Sequence, residues 1–479
     1  MNAEQLYALS SYVLLALASI VLMIVIAFRM SHRIIQWLSF GFCVLAIAAA
    51  LYYRDLLPLR IDPLFVADNL SLAFTLLILF AVLVVGMLSY VYFDLKEENP
   101  KEYYILLFLA TLGSAALAIS KHFISFFLSL ELLSVSLYGM IAYLRNRNHA
   151  IESGIKYLVM ASVASAFLLF GLALLYLESG TMDIEQLLTS LGTAASHDLL
   201  FYVAICLVGV AAFFKLALVP FHMWVADIYQ GAPPPVAAFI ATVSKGGLFA
   251  FLLRFSQDLH LSTNALFVQV ILVIAVLSML AGNLLALRQN NIKRLIAYSS
   301  VAQFGYMLPV LLLNDQVFQK VGIFYLLAYF LSILGAFGAL SFLSSSEKEV
   351  DELQTFKGML WRQPAYAFII ALSMLSLIGL PLTAGFISKF YLVNALVQMQ
   401  LWVPVAALII GSVISLYYYL KLVAIMLEPP SEEPLGRRYE FTSFIHQAGL
   451  LMLLITASVS IILGVYPSLL LYWLNTWFT

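Results

Sequence analysis

Residues 201–224 read FYVAICLVGVAAFFKLALVPFHMW, a long run without charge that ends in Lys215 and is then broken by Pro220. With Leu199 at its head the run is long enough to cross a hydrocarbon core about 30 Å thick. An ammonium inside such a span costs roughly 2.5 to 3.5 kcal/mol on insertion scales, so it needs a reason. A lysine near a span end can snorkel to the surface, but the proline argues otherwise. It removes a helical hydrogen bond and frees carbonyls, which are tolerated at membrane depth only in a protein-lined or hydrated cavity. The stretch therefore reads as an interrupted transmembrane helix with a cation beside the interruption.

The rest of the chain has the same character. Of 479 residues, 63% are hydrophobic and 10% charged, against roughly 45–50% and about 25% in soluble domains. Fourteen apolar runs begin near Leu6, Ile34, Asn69, Tyr103, Phe123, Ile155, Leu199, Pro234, Ala265, Leu295, Val321, Ala365, Trp402 and Ala448. The expected fold is an all-α polytopic membrane protein of about fourteen transmembrane helices. The first run has no basic n-region and no small-residue cleavage site, so it is read as a retained span rather than a signal peptide. Basic residues collect on cytoplasmic loops. With the N-terminus outside, fourteen basic residues are cytoplasmic, Lys293 and Arg294 among them, and five are external: Arg54, Arg60, Lys121, Arg254 and Lys320. Lys156, Lys215, Lys245, Lys389 and Lys421 fall within spans or close to their ends.

Several chemistries are disfavoured. Cys43 and Cys206 lie in separate runs, without the paired spacing of zinc or iron–sulfur sites. The seven histidines show no i, i+3 or i, i+4 ligand pair. Neither a dinucleotide fingerprint nor a phosphate-binding P-loop is present. The chain is expected to hold no metal or cofactor, and nothing in it points to nucleic acid.

The intramembrane charges are the candidate functional residues. Glu131 stands near mid-span in KHFISFFLSLELLSVSLYGMIAYL, too deep to snorkel, on one helix face with Ser134 and Tyr138. Lys245 lies about eleven residues into its span, with Thr242 a turn below. Lys389 follows a second interruption, SLIGLPLTAGFISKFYLV, where Gly379, Pro381 and Gly385 loosen the backbone. His222, just past Pro220, can pass a proton or cap released carbonyls. Glu152 and Lys156, one turn apart, read equally as an interfacial ion pair and as weaker members of the set. Lys421 is near enough to its span end to reach the surface. A desolvated lysine releases its proton more readily and a nearby carboxylate opposes this, so Glu131, Lys215, Lys245 and Lys389 at similar depth form a switchable chain for protons.

The interruptions fall in the seventh and twelfth runs, each fourth in a block of five. This predicts two inverted five-helix repeats. The division is 1–98 for the first three helices, 99–260 for helices 4 to 8, 261–430 for helices 9 to 13, and 431–479 for a cytoplasmic loop and helix 14.

LVPFHMWVADIYQGAPPPVAAFIATVSK (218–245) and GNLLALRQNNIKRLIAYSSVAQFGYML (282–308) closely resemble the N-type of antiporter-like subunits in proton-pumping NADH:quinone oxidoreductase, respiratory complex I. The likeness runs through nearly the whole chain. M-type subunits typically carry glutamate where Lys389 stands, and L-type subunits add a long lateral helix that this sequence lacks. The resemblance implies two inverted repeats broken in helices 7 and 12. It places the proton-carrying set on Glu131, Lys215, Lys245 and Lys389, with His222 on the connecting path. It further implies a bacterial inner membrane with both termini periplasmic, and neighbours that include antiporter-like subunit M and small subunit K. NADH, FMN, iron–sulfur clusters and quinone would sit on other subunits. A sodium/proton antiporter subunit is the alternative from the same family, and a scaffold whose buried charges only fix helix register is the alternative from another class.

Overall fold

The structure, a computed structural model, describes residues 3–95, 100–144, 148–191, 199–313, 315–344, 350–430 and 444–478. Lys96, Arg145, Arg147, Lys348, Arg437 and Arg438, six of the fourteen basic residues read as cytoplasmic, lie outside the described residues, as does the whole of 431–443.

All fourteen apolar runs fall on helix. Among the described residues, twelve helices are long and apolar enough to cross a membrane. Tyr103–Ile119 and Pro364–Ile378 are apolar but shorter. The first, at 17 residues, spans about 26 Å at 1.5 Å per residue. The second is followed, after five non-helical residues, by Ala384–Gln398.

Chain contacts gather into two compact units. One comprises residues 1–82, 101–224 and 243–271; the other comprises 83–100, 225–242 and 272–479. In the first, Tyr103–Ile119 packs against Phe123–Ile141 and Ser10–Ala27, and Asn148–Ser179 lies along Leu199–Leu216. Phe126 and Phe251 stack with ring centroids 3.8 Å apart, which joins the helix of Glu131 to that of Lys245. In the second, Asp315–Leu343 packs against Pro364–Ile378, Ala384–Gln398 and Phe444–Val465.

Burial grades the helices. Only 33% of the residues in the apolar window of Ser10–Ala27 are buried, whereas every one is buried in Pro234–Asp258 and Ile292–Leu312. The amphipathic pattern that would aim a helix in water is absent here, because lipid and protein interior are both apolar.

The first unit has a polar end. A hairpin pairs Leu59–Ile61 with Phe65–Ala67. The Lys121 N–H donates to Leu64 O at 3.1 Å, and Phe123 N–H to Met182 O at 2.9 Å. Glu185, on the short helix Ile184–Leu191, pairs with both Lys121 and Arg60. Arg254 Nη2 holds both Asp68 oxygens, at 2.8 and 2.9 Å. Of the external loop charges expected from sequence, Lys121 and Arg254 are thus enclosed and paired.

Candidate functional site

The helix Leu199–Leu216 ends before Pro220, not at it. Ala217 takes a left-handed conformation, φ 60°, and Leu218 N–H donates to Phe213 O at 2.8 Å while Ala217 N–H donates to Phe214 O at 2.9 Å. This pattern closes a helix C-terminus, with alanine where glycine is usual. Phe214 O also accepts from Trp224 Nε1 at 2.9 Å. Two of the carbonyls at this helix end, Phe213 O and Phe214 O, are therefore taken up by protein groups. Non-helical residues 217–223 follow, with His222 buried among them and within hydrogen-bonding reach of the Pro220 backbone. Helix resumes at Trp224–Gly231.

Lys215 occupies the last turn of the first piece and is 5% exposed. Its Nζ donates to Ser134 Oγ at 2.6 Å and lies 5.3 Å from the Tyr157 ring centroid. Ser134 shares a face with Glu131, whose Oε1 accepts from Ser165 Oγ at 2.5 Å. Among the described residues no ion pair joins Glu131 to Lys215 directly. Ser134, one turn along from Glu131, is the contact between that helix and the lysine. Of the stripe read from sequence, Ser134 is buried while Glu131 and Tyr138 are half-buried.

Lys245, 1% exposed, follows a feature with no sequence signature, a π-helical turn at Ile240–Ser244. Such turns loosen the hydrogen-bond ladder by one residue and recur at functional sites. Ser114 Oγ donates to Val243 O, inside the turn, at 2.6 Å. The neighbouring helix can come this close because residue 247 is glycine: a Cβ there would sit 2.4 Å from Ser114 O. Thr242 Oγ1 donates back to Ala238 O at 2.7 Å, so it serves its own helix.

Lys389 is held in the second unit. Helix Pro364–Ile378 closes at Gly379, φ 87°, with Leu380 N–H donating to Leu375 O at 3.1 Å. The side chain of Lys389, 7% exposed, turns back onto this end. Its Nζ donates to Leu377 O at 3.0 Å, Ile378 O at 2.8 Å and Ser412 Oγ at 3.3 Å, with the Tyr306 ring centroid 5.0 Å away. A cation on the last carbonyls of a helix meets both orphan acceptors and the negative end of the dipole. Gln303 Nε2 shares Leu377 O at 2.9 Å, and Tyr325 Oη donates to Gln303. The two interruptions place their lysines oppositely, Lys215 before the gap and Lys389 after it.

Glu152 and Lys156 form an ion pair at 2.7 Å with side chains 56% and 41% exposed. Ser165, Tyr157, Ser114, Tyr306, Gln303 and Ser412 were not singled out from sequence. Isolated hydroxyls and aromatics are common in apolar runs, and only the fold shows which face a lysine. Among the described residues no three His, Cys, Asp or Glu side chains gather as a ligand set.

Known proteins resemble this chain in sequence and in fold. Residues 120–415 match the family described as NADH:quinone oxidoreductase/Mrp antiporter, TM. The chain is 40% identical over 471 residues to NADH-quinone oxidoreductase subunit N of Methylococcus capsulatus, covering 98% of this chain and 94% of that protein. It is also 40% identical to the subunit of that name from Chromohalobacter salexigens, covering 98% of each. It superposes on a chain of respiratory complex I from Thermus thermophilus with TM-score 0.82 and 30% identity, covering 96% and 98%. A chain of the Mrp complex from Dietzia shares the fold, with TM-score 0.84, 22% identity and coverage of 98% and 96%.

Proposed function

The chain belongs to the NADH:quinone oxidoreductase/Mrp antiporter family, and from that premise we propose that it is a proton-translocating membrane-arm subunit of an NADH:quinone oxidoreductase, an enzyme whose redox chemistry lies on other subunits. Glu131, Lys215 and Lys245 carry protons in one unit, with His222 on the path that connects them, and Lys389 carries them in the other. Glu152 and Lys156 have a weaker part. NADH, FMN, iron–sulfur clusters and quinone are held elsewhere in the complex. The neighbours include antiporter-like subunit M and small subunit K, and the site is the bacterial inner membrane with both termini periplasmic.

One observation carries this reading. Each of three irregularities in the spans, the gap after Leu216, the π turn at Ile240–Ser244 and the gap after Ile378, has a buried lysine within two turns. Three coincidences of costly charge with loosened backbone are not needed to fix helix register. They are what a chain of switchable proton sites requires. A lysine enclosed in an apolar interior can change its protonation when a charge nearby changes.

The test is the intact complex in proteoliposomes, with NADH-driven acidification measured against quinone reduction. Glu131→Gln is expected to lower pumping and turnover together, by roughly tenfold or more for loss of one proton-transfer group, and Glu131→Asp to keep part of both. Full pumping by an assembled Glu131→Gln complex would exclude the proposed chain. Sodium uptake in place of acidification would favour the antiporter alternative.

A further inference from the structure

A fourth irregularity, at Ala232 and Pro233 between the helices Trp224–Gly231 and Pro234–Phe239, has no lysine nearby in sequence. It has one in space. Lys293, expected among the cytoplasmic loop charges, is 1% exposed. It stands in the first turn of Ile292–Met307, where Asn291 Oδ1 caps the N–H groups of Lys293 and Arg294 at 3.0 and 3.1 Å. A cation at a helix N-terminus opposes that helix's dipole, so its contacts must lie elsewhere. Its Nζ donates to Ala232 O at 3.3 Å and Gln230 O at 3.4 Å, with Asp351 Oδ1 at 3.4 Å.

One of those carbonyls, Gln230 O, needs a donor for a covalent reason. In a continuing helix Gln230 O would accept the N–H of residue 234, but 233, 234 and 235 are all proline and have no N–H to give. The ammonium stands in for the N–H that Pro234 lacks, and it also holds Ala232 O in the gap. Arg294 grips the same short helix through Asp227 at 2.6 Å and the Gln230 side chain at 3.0 Å. Asp351 is itself fixed, since its carbonyl accepts Ile292 N–H at 2.7 Å. The next helical piece begins at Pro234 and runs on through the π turn to Lys245.

We infer that Lys293 is a positioning residue for proton transfer: its ammonium gives Gln230 O the donor that Pro234 lacks, holds Ala232 O in the gap, and so sets where the Lys245-bearing helix starts. This rests on the proton-translocation reading for its functional consequence, though not for its structural one. The test uses the intact purified complex and two readouts, backbone amide exchange in peptides covering 224–240 and the ratio of protons pumped to electrons transferred. Lys293→Met and Lys293→Gln are each expected to exchange roughly tenfold faster in that stretch, the loss of a charge-assisted hydrogen bond, and to pump at less than half the native ratio. Lys293→Arg, which keeps the charge and the donors, is expected to restore both. If the methionine variant does not assemble, the glutamine and arginine variants decide the matter. Native exchange in the neutral variants overturns the inference. So does an arginine variant with native exchange and no pumping, because that pattern marks a proton carrier. A wild-type complex that moves no protons would fail the reading above, and the exchange measurement would still judge this one.

Discussion

Lys389 shows how much a single side chain is asked to do. Its ammonium replaces intrahelical donors on Leu377 O and Ile378 O, which an arginine can also do. Only lysine can then discharge, since arginine stays protonated in proteins. Lys389→Arg is therefore expected to assemble normally and lose pumping by roughly tenfold or more. Lys389→Met should lose pumping with the same assembly. Acidification at the native ratio of protons to electrons in the arginine variant would make Lys389 an anchor for the half-helix and not a carrier. The same side-chain scale also explains what was missed. Ser134 is one of several serines in its helix, and nothing local marks it as the acceptor for an ammonium 81 positions away.

At the level of the helix, the first interruption has a different cause from the one its sequence advertises. Pro220 looks like the breaker, yet the left-handed Ala217 and the Trp224 bond to Phe214 O end the helix upstream of it. Pro220→Ala is accordingly expected to leave the helix end at Leu216 and Lys215 on Ser134, seen as an unchanged backbone in a high-resolution structure of the variant. A continuous helix through 217–223 would return the cause to the proline. The short helix Ile184–Leu191 gives a pH dependence with a defined sign. Hydrogen bonding from Lys121, reinforced by Arg60, holds the Glu185 carboxyl below its ordinary value. A carboxylate whose pKa is lower in the folded state stabilises fully above its unfolded value and ceases to do so as pH falls through the folded one. Glu185 is half exposed, so solvent screens the pair and the effect is small. Amide protection over 184–191, corrected for intrinsic exchange rate, should be flat from neutral pH down to the ordinary carboxylate range and decline below it. The decline should vanish in Glu185→Gln.

For the whole molecule, the asymmetry of basic residues along the sequence supports the proposed periplasmic position of both termini. Reporters fused at residue 1 and at residue 479 are expected to be accessible from the periplasm and shielded from the cytoplasm in intact cells. A terminus reached only from the cytoplasm would change the number of crossings. The contact units cut across the sequence blocks, because residues 83–100 and 225–242 group with 272–479 rather than with their neighbours in the chain. Periodicity in the sequence orders helices along the chain; which of them pack together depends on side-chain fit that an apolar alphabet hardly encodes.

By itself the sequence determined that this chain lives in a membrane, where its apolar helices lie, and that Glu131, Lys215, Lys245 and Lys389 are charges with no apolar excuse. These follow from transfer free energies, which act on each residue in its own segment. Tertiary structure alone decided what those charges touch. It put Ser134 under Lys215, the end of Pro364–Ile378 under Lys389, a π turn before Lys245, and Lys293 against a carbonyl that Pro234 cannot serve. A buried polar group must find a partner, but the partner is chosen by packing between segments far apart in the chain, and no local pattern records it.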